Sequence, residues 1–108
     1  KIRCKPYPAI AVEYLSNDGT GAPGWACKPL RADYIAYAIA PLGMCYLLPV
    51  IQLQQAWRRK GEHWKASCFI VRAPNRGYTT LSAAVPVHEL FSEIGRALRV
   101  PFAALETV

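Results

Sequence analysis

A chain of 108 residues, 53% of them hydrophobic and 19% charged, has enough length for one modest core, which excludes a second domain. Thirteen Lys and Arg against seven Asp and Glu leave a net charge of +6, an excess that draws polyanions, nucleic acid foremost, but that a merely soluble basic protein also carries. The longest apolar run, Met44 to Ile51, is too short to span a bilayer, and no signal peptide precedes the first strand pattern; the expectation is a soluble, cytoplasmic protein with no membrane partner.

The chain opens at Lys1 without a methionine, and its basic start KIRCKPYP leads directly into a strand pattern, so part of the parent protein is expected to precede it. Ala9 to Ser16, bounded by Pro8 and by Asn17-Asp18-Gly19, reads as a strand with Ile10, Val12 and Tyr14 on one face and Glu13 and Leu15 on the other. Asn17 to Leu30 is then a long loop rich in Gly and Pro, a kind that is usually functional or disordered in a compact domain.

Asp33 to Ala40 and Met44 to Val50 are apolar runs joined by Ala40-Pro41-Leu42-Gly43, which predicts an antiparallel hairpin. From Val50 the period changes: Val50, Leu53, Ala56 and Trp57 share a helical stripe to Lys60, and Gly61 supplies a C-terminal stop. Ser67 to Arg72 and Thr79 to Val85 read as strands separated by the loop Ala73 to Gly77. Val87 to Leu98 reads as a helix with Pro86 at its start and Arg96 and Arg99 near its end, where the macrodipole favours cations. No internal repeat is evident. The order predicts an α/β (α+β) domain, a central mixed sheet with an antiparallel hairpin, flanked by helices.

Cysteines 4, 27, 45 and 68 lie far apart with no CxxC, which fits reduced core residues of a cytosolic protein, although an even count leaves a disulfide open. Phosphate-loop, HExxH and GxSxG motifs are absent. Glu13, Asp18 and Asp33 each stand on a strand or at its end, where a carboxylate could bind Mg²⁺ or could equally face solvent or close a loop. The cations Arg58, Arg59, Lys60, Lys65, Arg72 and Arg76 interleave with Trp25, Trp64 and Tyr78, the mixture that holds a phosphate backbone while an aromatic contacts sugar or base. In Asn75-Arg76-Gly77-Tyr78, Gly77 permits a tight turn presenting both neighbours.

The string GW...K...ADYIAYAI...CYLLPV..LQQAW followed by NRGYTTLSAAVPVHEL resembles the C-terminal two-thirds of predicted PD-(D/E)xK nucleases of phages and mobile elements, the restriction-endonuclease-like group, over roughly Glu13 to Ile94. The resemblance implies a metal-dependent endonuclease acting on DNA phosphodiesters, with Mg²⁺ and a Lys activating water. It makes Lys1 the last letter of the signature and Glu13 a metal ligand or its neighbour, the remaining carboxylates lying upstream and the one- or two-metal site incomplete in this chain. Read internally, Leu15 stands where (Asp/Glu)-x-Lys requires Lys. Lys28 and Arg31 would face phosphates or else stand solvated, the latter being the first reading for Arg31, and Trp25 would either anchor the cleft loop or fill the core edge. A junction-resolving role would use a homodimer to cut two strands symmetrically. The alternatives are a non-catalytic nucleic-acid-binding module and a protein-interaction domain of a phage or mobile element.

Overall fold

The computed structural model describes residues 2–3, 9–95 and 98–101, with side-chain surroundings for 9–95 and 101. In chain order, strands β1 (Ile2–Arg3), β2 (Ala9–Asn17), β3 (Ala22–Pro23), β4 (Tyr34–Ile39) and β5 (Met44–Pro49) precede helix α1 (Val50–Ser67). Strands β6 (Phe69–Asn75) and β7 (Tyr78–Pro86), helix α2 (Val87–Ile94) and strand β8 (Leu98–Pro101) follow. The chain is therefore α+β, as its pattern predicts.

The strands form two four-stranded sheets, β1-β4-β5-β8 and β3-β2-β7-β6, rather than one central sheet. The division has a local cause. One edge of β2 is covered by β3 and by the segment that follows it, where Gly24 N–H donates to Tyr14 O and Ala26 N–H to Glu13 O, each at 3.0 Å. That edge has no room for β4. The sheets are joined instead by a buried hydrogen bond, 3.1 Å from Ala11 N–H on β2 to the Tyr37 hydroxyl on β4, and by one continuous core that includes Ile10, Val12, Ile39, Leu48, Leu53, Trp64, Val85 and Leu90. Among the described residues only the β1–β4 pair is parallel.

Two of the hairpins are built alike. β4–β5 and β6–β7 each end in a proline that opens a helix, Pro49-Val50 into α1 and Pro86-Val87 into α2, and the motif Pro-Val-x-x-Leu recurs at Pro49–Leu53 and Pro86–Leu90. Proline as helix N-cap sacrifices no intrahelical donor, while the Val and Leu place one helical face on the core, all four being buried. A short repeated junction is thus present where the sequence reading finds none.

Several boundaries differ from expectation, and the segment Asn17 to Leu30, read as one long loop, contains β3 and turns back onto β2. α1 does not stop at Gly61 but continues to Ser67, because the buried stripe Val50, Leu53, Trp57, Gly61 and Trp64 goes on past it and the glycine is where the Trp57 ring lies on the helix; a Cβ there would meet Trp57 Cε2 at 2.8 Å. α2 ends at Ile94, since Gly95 takes a left-handed φ of 74° and its N–H caps Phe91 O. Leu98 and Arg99 consequently lie in β8, paired with Leu47 and Tyr46, and not on the helix. Ala73 to Asn75 belong to β6, an edge strand that tolerates Pro74, so only Arg76-Gly77 form the turn.

Candidate nucleic-acid interface

β2 carries a bulge at the centre of the region where the sequence places its candidates. Its pairing with β7 passes from Glu13↔Ser82 to Leu15↔Leu81, which leaves Tyr14 as the extra residue. A bulge bends the strand and re-aims its side chain. Here the Tyr14 ring stacks on Trp57 of α1, 5.3 Å between centroids at 13°, and the Lys65 ammonium stands 5.6 Å from the Tyr14 ring centre. Trp57 in turn packs at 6.0 Å against Trp64.

The Gly24–Lys28 segment is held onto this bulge from two sides. Gly24 lies so close to β2 that a Cβ would come within 2.5 Å of the Glu13 carbonyl oxygen. From α1, the Gln54 amide donates to Trp25 O at 3.2 Å and to Lys28 O at 2.7 Å. Trp25 is half-buried against the core, and Lys28 is exposed next to it in sequence. Beyond it, Pro29 to Tyr34 face the first turn of α1 across a groove of about 1090 Å³, bordered by Arg31, Tyr34 and Ile51; Val50 N–H donates to Asp33 O at its base.

The acidic candidates are occupied or isolated. The Glu13 carboxylate accepts the Trp25 N–H at 3.4 Å, and the Asp18 carboxylate accepts the Thr79 N–H at 2.9 Å while Asp18 N–H donates to Thr79 O. Asp33 is exposed. No group of three or more His, Cys, Asp or Glu side chains comes together among the described residues. Lys1 lies outside the described residues.

The basic candidates divide into two sets. Arg59 and Lys60 reach across to Glu93 of α2 at 3.4 and 3.8 Å, and Lys65 pairs with Glu62 at 2.7 Å. Lys28, Arg31, Arg58, Arg72 and Arg76 are exposed and form no ion pair with another described residue. Trp64, read from the sequence as an aromatic interleaved with these cations, is fully buried, its indole N–H donating to Glu89 at 2.9 Å, and so has no face to offer a ligand. Tyr78 is exposed. Asn75 spends its amide locally, on Ala73 O and Thr80 Oγ1.

Cys27, Cys45 and Cys68 are free thiols, and Cys4 lies outside the described residues. Burial of its sulfur pushes the Cys27 thiol up, against the nearby Lys65 charge and a hydrogen bond from Trp57 that act in the opposite direction. The sequence reading missed Tyr14, Gln54 and Trp57 as builders of this region. Alternation does put Tyr14 on the face of Ile10 and Val12, where it packs against the core, but the bulge at Tyr14 and its stacking on Trp57 have no mark in the alternation.

Fold and surface together define a small basic α+β protein in which five exposed cations form no ion pair with another described residue. No family model, curated protein or solved structure matches the chain. Among the described residues, no helix is long and apolar enough to cross a membrane.

Proposed function

We propose that this chain binds nucleic acid, DNA in the first place and in a cytoplasmic setting, through the exposed cations Lys28, Arg31, Arg58, Arg72 and Arg76. The reading is carried by how charge is distributed. Five of the six described carboxylates, Glu13, Asp18, Glu62, Glu89 and Glu93, accept a hydrogen bond or ion pair from a neighbour, whereas those five cations are left to solvent. Carboxylates are mostly engaged by neighbours while these cations are not, and the resulting positive surplus suits a partner that presents phosphates. Arg31 strengthens it locally, standing in the groove at the N-terminal end of α1, where the helix dipole also favours an anion.

The resemblance to PD-(D/E)xK nucleases extends the proposal to a restriction-endonuclease-like fold whose substrate-holding face this would be. Of the carboxylates that reading draws on, Glu13 accepts the Trp25 N–H and Asp18 the Thr79 N–H, each through one oxygen. A charge-neutralised variant tests the binding proposal: Lys28, Arg31, Arg58, Arg72 and Arg76 all changed to Gln, compared with the unaltered chain for fluorescence anisotropy of a labelled DNA fragment. Binding by the unaltered chain that the variant loses supports the assignment. Equal binding by both, or none by either, refutes it.

A further inference from the structure

Among the described residues, strand β6 is the sheet edge that the fold leaves longest. The other edges, β1 and β3 at two residues each and β8 at four, are blunted by their shortness, whereas β6 runs seven residues from Phe69 to Asn75. Phe69 is 76% exposed on it, the most exposed large apolar side chain among the described residues. Which backbone groups face off this edge follows from β7. Thr79 donates its N–H to the Asp18 carboxylate and accepts the Asp18 N–H at its carbonyl, so both groups turn away from β6 and Pro74↔Thr79 is not a hydrogen-bonded pair. By alternation, Val71 and Ala73 bond to β7, while the N–H and C=O of Ile70 and Arg72 point off the edge and meet no partner among the described residues. Pro74 falls in this outward series, where its missing N–H takes nothing from the β6–β7 ladder.

The geometry points to a second copy of this chain as the partner, its β6 pairing antiparallel with this one across a two-fold axis at Val71. With the axis there, Ile70 of each copy faces Arg72 of the other, and the outward N–H and C=O of these residues bond reciprocally. Phe69 then faces Ala73, and Val71 faces Val71. Neighbouring axes fail. An axis at Arg72 sets the two guanidinium groups directly opposite each other and Ile70 against Pro74, which has no N–H to give. One at Ala73 sets Arg72 against the same proline. One at Ile70 sets Arg72 against Cys68, whose N–H is already committed to Trp64 O at 2.8 Å. The self-complementary register that a two-fold interface requires is therefore the one centred on Val71. In it the exposed Phe69 ring gains Ala73 and Val71 of the second copy as cross-strand neighbours, and the β3-β2-β7-β6 sheets of the two copies join into one continuous sheet. This contact is made by backbone and apolar groups and does not depend on nucleic acid.

The test is sedimentation equilibrium of the whole chain from about 1 to about 500 µM, for the unaltered protein, Arg72→Pro and Phe69→Lys, with thermal melts confirming that each variant is folded. Arg72→Pro removes half of the hydrogen bonds between the copies and none between β6 and β7, and Phe69→Lys places a charge on the edge. The expected result is a dimer of the unaltered protein within that range, as suits an interface of strand-edge size, and association weaker by about tenfold or more in each variant. Val71→Cys reads the register. Its two Cα atoms would stand about 4.5 Å apart across the axis, within disulfide reach, so air oxidation should link two chains through position 71, whereas Ala73→Cys should give no link through position 73. A monomer at every concentration, a dimer as strong in both edge variants as in the unaltered protein, or linkage through position 73 and not 71 overturns the proposal.

Discussion

Trp64 Nε1 of α1 donates to Glu89 Oε1 of α2 at 2.9 Å, and the indole it belongs to is completely buried. The bond gives a core tryptophan the partner that its N–H requires away from water. It also fixes the register of the two helices that cover the sheets. Glu89→Ala leaves that donor buried and unpaired, with an expected loss of about 1–3 kcal/mol, or a melting temperature lower by roughly 4–8 °C per kcal/mol for a domain of this size. Glu89→Gln keeps a carbonyl acceptor and should recover most of the loss. Equal melting of all three proteins would show that the bond contributes nothing.

Gly61 tests the helix interior. Alanine normally gains about 1 kcal/mol over glycine in a helix, but here its methyl would press on Trp57 atoms at 2.8, 3.0 and 3.1 Å. Trp57 cannot easily yield, being stacked on Tyr14 and packed at a tilt against Trp64. Overpacking of this kind costs about 1–3 kcal/mol, so Gly61→Ala should lower the urea midpoint despite the better propensity. A raised midpoint would mean that the ring moves freely.

Neighbouring arginines on α1 should separate binding from stability. Arg59 holds α2 through the Glu93 carbonyl at 3.0 Å and its carboxylate at 3.4 Å, whereas Arg58 is exposed and has no ionic partner among the described residues. Arg58→Gln is expected to weaken DNA binding with the salt dependence reduced by about one ion and with stability unchanged within about 0.5 kcal/mol. Arg59→Gln should do the reverse, destabilising by up to about 1 kcal/mol with little effect on binding. Calorimetry and anisotropy on the same two variants read both quantities.

The thiols make stability depend on alkaline pH. Burial is the main cause that raises both Cys27 and Cys68 above the ordinary value of 9.0, with the Glu89 charge adding to it at Cys68 and a hydrogen bond with Ser67 opposing it there. A thiol whose folded pKa is raised stays neutral while the unfolded chain begins to ionise. Its contribution is therefore complete below about pH 9 and is lost as pH rises through the folded value. Melting temperatures measured from pH 8 to pH 10 should fall less steeply in a Cys27→Ala, Cys68→Ala double variant than in the unaltered protein. Parallel curves would contradict the shifts.

Much of this architecture is legible in the residues. Pro8, the Asn17-Asp18-Gly19 turn and Ala40–Gly43 punctuate β2, β4 and β5 correctly, since these are backbone signals that act locally. The errors arise where a tertiary contact overrules a local signal. Gly61 looks like a stop until the Trp57 ring is seen lying on it, and Pro74 looks like a loop until β6 is known to be an edge strand. Gly95 is the available marker for the end of α2, hidden by the continued apolar spacing of Ala97 and Leu98. The site is less legible than the fold. That Arg59 and Lys60 serve Glu93 while Arg58 does not depends on where α2 crosses α1, and composition carries no trace of it.

The most direct measurement of the central claim is the salt dependence of duplex DNA binding by the unaltered chain. Five exposed cations that neutralise phosphates give a slope of about −4.5 in log Kobs against log salt, or a loss of about 500-fold in affinity between about 50 and 200 mM. The predicted result is a slope of about −4 or steeper. A flat dependence, or no binding at about 50 mM, would contradict the account and leave the cations as solvated surface.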